Sequence, residues 1–100
     1  MSDICLTLLC PIAHQEHLID HLLLASDVQV FASSNGAAHG LHPRELSASE
    51  QVLGQARAVQ ITALVSKADS ETVLAALKHE FAGIGLRYWL LPVIEAGEIL

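Results

Sequence analysis

The chain has 100 residues, room for one domain and not for two. Hydrophobic residues make up 52% of it and charged ones 16%, with five basic against eleven acidic side chains and a formal charge of -6. That balance excludes the basic face that a nucleic-acid backbone or an anionic membrane requires, and the apolar fraction excludes disorder.

Ile4 to Leu9 is an apolar run with the length of a buried strand. The wider stretch Ile4 to Ala13 is too short to span a bilayer, and its upstream flank holds Asp3 in place of Lys or Arg. The expectation is a soluble, cytoplasmic protein without membrane insertion. Cys5 and Cys10 on one strand would lie roughly 16 Å apart and on opposite faces. A disulfide needs Cα atoms within about 7 Å, so the two read as small buried hydrophobes, with a metal or redox role as the alternative.

Pro11 sits where a first helical residue tolerates it, and Ile12 to Leu24 is helical in pattern. Ile12, Leu18, Ile19, Leu22 and Leu23 share one broad face, and Ser26-Asp27 breaks the pattern. Val28 to Ser33 alternates as a strand, Val28, Val30 and Ala32 against Gln29, Phe31 and Ser33, until Ser34-Asn35-Gly36 ends it. A long loop, 37–54, follows, rich in turn residues and poor in periodicity. Within it Ser47-Ala48-Ser49-Glu50 fits a capping box, predicting a helical turn through Leu53 with Gly54 as its stop. Ala56 to Ser66 alternates again. Asp69 is placed to cap a second helix with the stripe Val73, Leu74, Leu77 and Phe81, ended by Gly83. Leu86 to Ile94 is the last strand, where Pro92 points to an edge or a bulge.

The order strand, helix, strand, strand, helix, strand predicts an α+β fold. It is the ferredoxin-like βαββαβ arrangement, a single domain 1–100 with a four-stranded antiparallel sheet and both helices on one face. The other face is then the anomaly. Both parities of the last strand are apolar, Tyr88 and Leu90 against Trp89 and Leu91, and the first strand behaves alike. Phe31 and Leu64 fall on the polar parity of their own strands. An exposed apolar sheet face implies a partner, so a homo-oligomer is expected, with Leu90 as the position at which a lysine tests it. The alternative is a monomer whose long loop folds over the sheet.

The strand order, the long second-to-third-strand loop and the short acidic frame resemble the trimeric nitrogen-regulatory PII proteins and the CutA divalent-ion tolerance proteins. More closely, Leu46-Ser47, Glu50-Gln51-Val52 with Gly54, and Tyr88-Trp89 with Pro92-Val93 resemble an uncharacterised family of small PII-like proteins, whose genes often stand beside heavy-metal efflux pumps. The resemblance implies a trimer with clefts between subunits and a mobile loop comparable to the PII T-loop. It departs from PII at the phosphate-binding loops. After the second helix the chain offers only Ala82-Gly83-Ile84-Gly85-Leu86, without a Lys. The backbone donors of a turn at Gly83 and Gly85 could still cradle an anion, and Arg57 and Arg87, the arginines placed on strands, are the anion partners if a nucleotide binds. Inter-subunit ion pairing is the alternative for both arginines.

Six histidines outnumber the five lysines and arginines together. His14, His17 and His21 fall within about a 60° arc of the first helix, opposite its apolar stripe, which places them on the solvent side as candidate ligands for a divalent transition metal. His39 and His42 in the long loop are a second candidate pair. Arg44, Glu45 and Glu50 give the same loop partner-docking chemistry, with residues 37–43 expected to be ordered by a ligand and the turn 48–53 ordered without one. An ordinary polar helix face and solvated loop histidines are the plainer readings. His79, near the end of the second helix, suits the helix dipole. No nucleophile elbow, Ser-His-Asp set or P-loop is present, and neither thiol has a basic neighbour on its strand, so no enzyme is expected.

The leading expectation is a PII-like regulatory module that senses a metal ion or small ligand and signals through loop 37–54 to a protein such as an efflux component. A ligand-free adaptor trimer and a small oligomeric enzyme are the other two readings.

Overall fold

The computed structural model describes residues 2–41, 44 and 46–100. Its strands are β1 (Asp3–Pro11), β2 (Val28–His39), β3 (Gln55–Ser66) and β4 (Arg87–Val93). Its helices are α1 (Gln15–Leu24), entered through a 3-10 turn at Ile12–His14, then α2 (Ala48–Leu53) and α3 (Ser70–Glu80). The sheet order is β2-β3-β1-β4 and every neighbouring pair is antiparallel, the ferredoxin-like arrangement expected from the element order.

The core follows from strand parity. Leu6, Leu8 and Cys10 of β1 and Val59, Ile61, Ala63 and Val65 of β3 point to one side, where Leu18 and Leu22 of α1 and Val73 and Leu77 of α3 meet them, with Phe81 just beyond. All are buried. Leu23, grouped with the apolar face of α1 by the helical wheel, is instead 68% exposed. Asp69 stands at the start of α3 but makes no capping bond. Its Oδ2 accepts from Ser66 Oγ at 2.9 Å, while the Asp69 amide donates back to that hydroxyl at 3.2 Å.

Two departures concern β2. A bulge between Val28 and Val30 shifts its phase. Val28 lies opposite Val65, and beyond the bulge it is Phe31, opposite Ala63, that faces the helices and packs on the core. Phe31 is therefore not on the uncovered face, whereas Leu64, paired with Val30 and Cys5, is. The second departure is length. Ser34, Asn35 and Gly36 do not end the strand, because they pair with Gln60, Val59 and Ala58, and pairing continues to His39 opposite Gln55. The connection thus begins at residue 40 rather than 37, and cross-strand pairing overrides the turn propensity of Ser-Asn-Gly. Residues 37–39, expected to wait for a ligand, are strand.

The face away from the helices carries Val30, Leu64, Cys5, Leu9, Trp89 and Leu91, with Thr7 buried between Thr62 and Trp89. Trp89 is 44% and Leu91 52% exposed. Leu90 lies opposite Leu6 and so belongs to the helix side. The position that tests the uncovered face is therefore Leu91. After β4 the chain runs on through residues 94–100 with Ile94, Ile99 and Leu100 fully exposed. A radius of gyration of 14.6 Å exceeds the ~13 Å typical of a compact chain of this length. Among the described residues no helix is long and apolar enough to cross a membrane.

Candidate functional site

One end of the sheet opens into a cleft of about 410 Å³. Antiparallel pairing brings there the last residues of β1, the first of β4 and the paired ends of β2 and β3, with Leu9 opposite Arg87, Pro11 opposite Ala58 and Ala38 opposite Ala56. The small side chains Ala38, Ala56 and Ala58 leave the space, and Leu9, Ile12, Leu41 and Ile84 make its apolar walls. The turn after α3 closes one side through Gly83 and Gly85, at φ of 82° and 84°, a left-handed backbone that glycine adopts without strain.

The charge in this cleft is uneven. All three arginines of the chain, Arg44, Arg57 and Arg87, line it, and Glu50 is the acidic residue among the described lining residues. A protein of formal charge -6 thus gathers its arginines at one oily-walled pocket. Long flexible guanidinium groups over a floor of backbone and alanine suit an anionic group joined to a flat or apolar body.

Glu50 is fixed from both oxygens. Oε1 accepts from the Ser47 amide at 2.9 Å and Oε2 from the Arg57 amide at 3.2 Å. Ser47 Oγ accepts from the Glu50 amide at 3.3 Å, completing the expected capping box, and Gly54 closes α2 in the left-handed conformation at φ 70°. The Ser47 and Arg57 amides, with a smaller attraction from the Arg57 guanidinium, hold the Glu50 carboxyl below the usual carboxylate range. Cys10 also borders the cleft. Its Sγ donates to the Pro11 carbonyl at 3.4 Å, and burial pushes the thiol up to about 11, so it is a neutral wall and not a nucleophile at neutral pH.

Of the residues singled out by sequence, Arg57, Arg87, Gly83 and Gly85 come together here, joined by Arg44 and Glu50 from the loop. The histidines do not join them. The imidazoles of α1 share a face, yet that face is not simply solvent. The His17 ring lies 4.4 Å from Phe81, His21 meets Phe81 edge-on at 5.4 Å, and His17 Nε2 is 3.1 Å from Glu80 Oε2. His14 and His21 are half-buried. His39 is the exposed last residue of β2, while His42 and Glu45 lie outside the described residues. Among the described residues no three His, Cys, Asp or Glu side chains are grouped to hold a metal ion. The alanine pair Ala56 and Ala58 and the wall residue Leu41 were not singled out beforehand. The sequence signal for the two alanines is the small size of alternate residues in a strand, and Leu41 carries none.

The full chain, residues 1–100, matches the model of the family described as DUF3240, protein of unknown function, and belongs to that family. No curated protein matches it. Among solved structures it is similar to a DUF3240 family protein from Shewanella baltica OS155, with a TM-score of 0.82 at 16% identity over 100% of this chain and 99% of that one. It is also similar to CPII, a nitrogen regulatory PII-like protein from Thiomonas intermedia K12 bound to ADP, AMP and bicarbonate, at TM-score 0.73 and 16% identity over 99% and 98%. A Bacillus subtilis GlnK-ATP complex follows at TM-score 0.67 and 16% identity over 92% and 82%. The fold is thus shared with PII-like proteins.

Proposed function

We propose that this protein is a PII-like regulatory module, not an enzyme, that binds a small anionic ligand in the arginine-lined cleft and reports occupancy through the 40–54 connection. The observation that carries the reading is the convergence of all three arginines and the Gly83–Gly85 turn on one apolar-walled cleft. Arg44, Arg57 and Arg87 beside Glu50 among the described lining residues suit an anionic ligand, and the alanine floor admits a flat ring beside it. A nucleotide has that form, and the structurally similar Thiomonas protein is bound to ADP, AMP and bicarbonate.

The uncovered sheet face with Trp89, Leu91 and Val30 supports assembly of copies, a trimer by likeness to PII proteins, in the cytoplasm. The metal-sensing form of the idea has less support, since His17 and His21 are spent on Phe81 and no three ligands gather among the described residues. The link to CutA proteins and to an efflux component as the signalling partner rests on the sequence motifs alone and is retained as the partner to test first.

Calorimetric titration with ADP, and separately with bicarbonate, tests the reading. Saturable binding that weakens at least tenfold in both Arg57→Ala and Arg87→Ala supports it. Absence of binding, or binding indifferent to both arginines, overturns it.

A further inference from the structure

We infer that Glu50 is the cleft's built-in anion: an incoming anionic ligand competes with its carboxylate, and because that carboxylate also clips α2 to β3, filling the cleft loosens α2. The inference rests on the cleft reading above and adds how occupancy is passed on.

Glu50 sits at the junction of two structures. Toward the cleft it is the acidic residue among the described lining residues, beside three arginines. Toward the loop it is the third residue of α2, and its two oxygens take the Ser47 amide at the start of the helix and the Arg57 amide on the neighbouring strand. One carboxylate therefore joins α2, β3 and the ligand space. A second anion placed among the same arginines meets a fixed like charge in a cleft of about 410 Å³. The repulsion is relieved when Glu50 gives up the Arg57 amide and swings away.

Besides Glu50, α2 is held by its own ladder and by Gln51, whose Nε2 donates to the Leu46 carbonyl at 3.3 Å. Six residues are far below the roughly 12–15 at which a helix in water becomes even marginally stable. Its own ladder is short, Gln51 amide to Ser47 carbonyl at 2.9 Å and Gly54 amide to Glu50 carbonyl at 2.8 Å, and Leu53 is 69% exposed. The capping box and the bond to Arg57 both pass through Glu50. Linkage makes the effect reciprocal: if the ligand favours released α2 by a given factor, releasing α2, as loss of the Glu50 charge does, raises ligand affinity by that factor.

Amide exchange at Gln51 and Gly54, measured with and without saturating ADP, tests the inference in the wild-type protein. Couplings of this kind are about fivefold or larger. The expected result is at least that acceleration at both amides on adding ADP. Glu50→Gln should exchange fast at these amides without ADP and bind ADP about fivefold or more tightly. Saturable ADP binding with unchanged exchange at Gln51 and Gly54 overturns the inference and leaves the cleft reading standing. Failure of both wild type and Glu50→Gln to bind ADP removes the cleft reading and this inference together. The wild-type comparison needs no variant, so misfolding of Glu50→Gln would not blunt the test.

Discussion

His17 and Glu80, 63 positions apart, meet at 3.1 Å across the α1–α3 seam, with the His17 ring laid against Phe81 at 4.4 Å. The sequence stripe of imidazoles is thereby part of the packing between the two helices. Phe81 is the buried member, at 3% exposure, while His17 and Glu80 stay half in solvent.

The seam predicts an order of mutational cost. Phe81→Ala should lower stability by about 3–5 kcal/mol, through lost burial and the cavity left behind. His17→Ala should cost about 0.5–1.5 kcal/mol, mainly the ring contact. Glu80→Gln should cost about 1 kcal/mol or less, because an exposed ion pair is weak. Urea unfolding midpoints read all three, and a Glu80 effect as large as that of Phe81 would show that the ion pair and not the ring holds the seam.

The clip at Glu50 gives α2 a pH dependence. Its folded-state value lies below the unfolded one, owing first to the Ser47 amide and then to the Arg57 amide. The stabilisation is therefore complete above the ordinary carboxylate range and is lost as pH falls through the lowered folded value. Exchange at Gln51 and Gly54, corrected for intrinsic rates, should hold steady down to that range and accelerate below it. In Glu50→Gln the acid-dependent step should vanish.

Cys10 should resist alkylation. With its thiol pushed up to about 11 and buried, iodoacetamide at pH 8 should leave Cys10 unmodified in the folded protein and label it in urea. Peptide mass spectrometry checks this, and rapid labelling of Cys10 in the native protein would mean that the cleft wall opens.

Leu91→Lys should reduce the assembled mass in light scattering while leaving the unfolding free energy of the isolated chain within about 1 kcal/mol, since the residue is 52% exposed on the sheet face away from the helices. Leu90→Lys, opposite Leu6 on the helix side, should disturb the fold more than the assembly. A wild-type monomer would remove the assembly proposal.

Much of the architecture is written in local pattern. The parity of Leu6 and Leu8, the stripe Val73, Leu77 and Phe81, and the Ser47–Glu50 box each specify their element without help from distant residues. What local pattern lacks is knowledge of the neighbour. Ser34-Asn35-Gly36 has turn composition, and only the presence of Ala58, Val59 and Gln60 alongside keeps it extended. The helical wheel placed His17 and His21 together correctly, but the arrival of Phe81 from the far end of α3 decides what they touch. The cleft was legible residue by residue and not as a place. Arg57, Arg87 and the Gly83–Gly85 turn carry chemical meaning in sequence, while their convergence follows from strand order and register, which bring distant segments to one sheet end.

The bulge between Val28 and Val30 acts as a frame shift written into the backbone. Upstream of it an even-numbered residue, Val28, looks inward; downstream the odd-numbered Phe31, Ser33 and Asn35 do. Gln29 is the extra residue: without it Val28 and Val30 would stand consecutively opposite Val65 and Leu64, and Phe31 would keep its place opposite Ala63. Substitution at Gln29 gives up the exposed hydrogen bond from its Nε2 to Asp3 Oδ1 at 3.2 Å, which ties the start of β2 to the start of β1. The start of β2 is therefore a place where the strand can drop a residue without turning its faces over, whereas the same loss in the regular ladder beyond it would turn them.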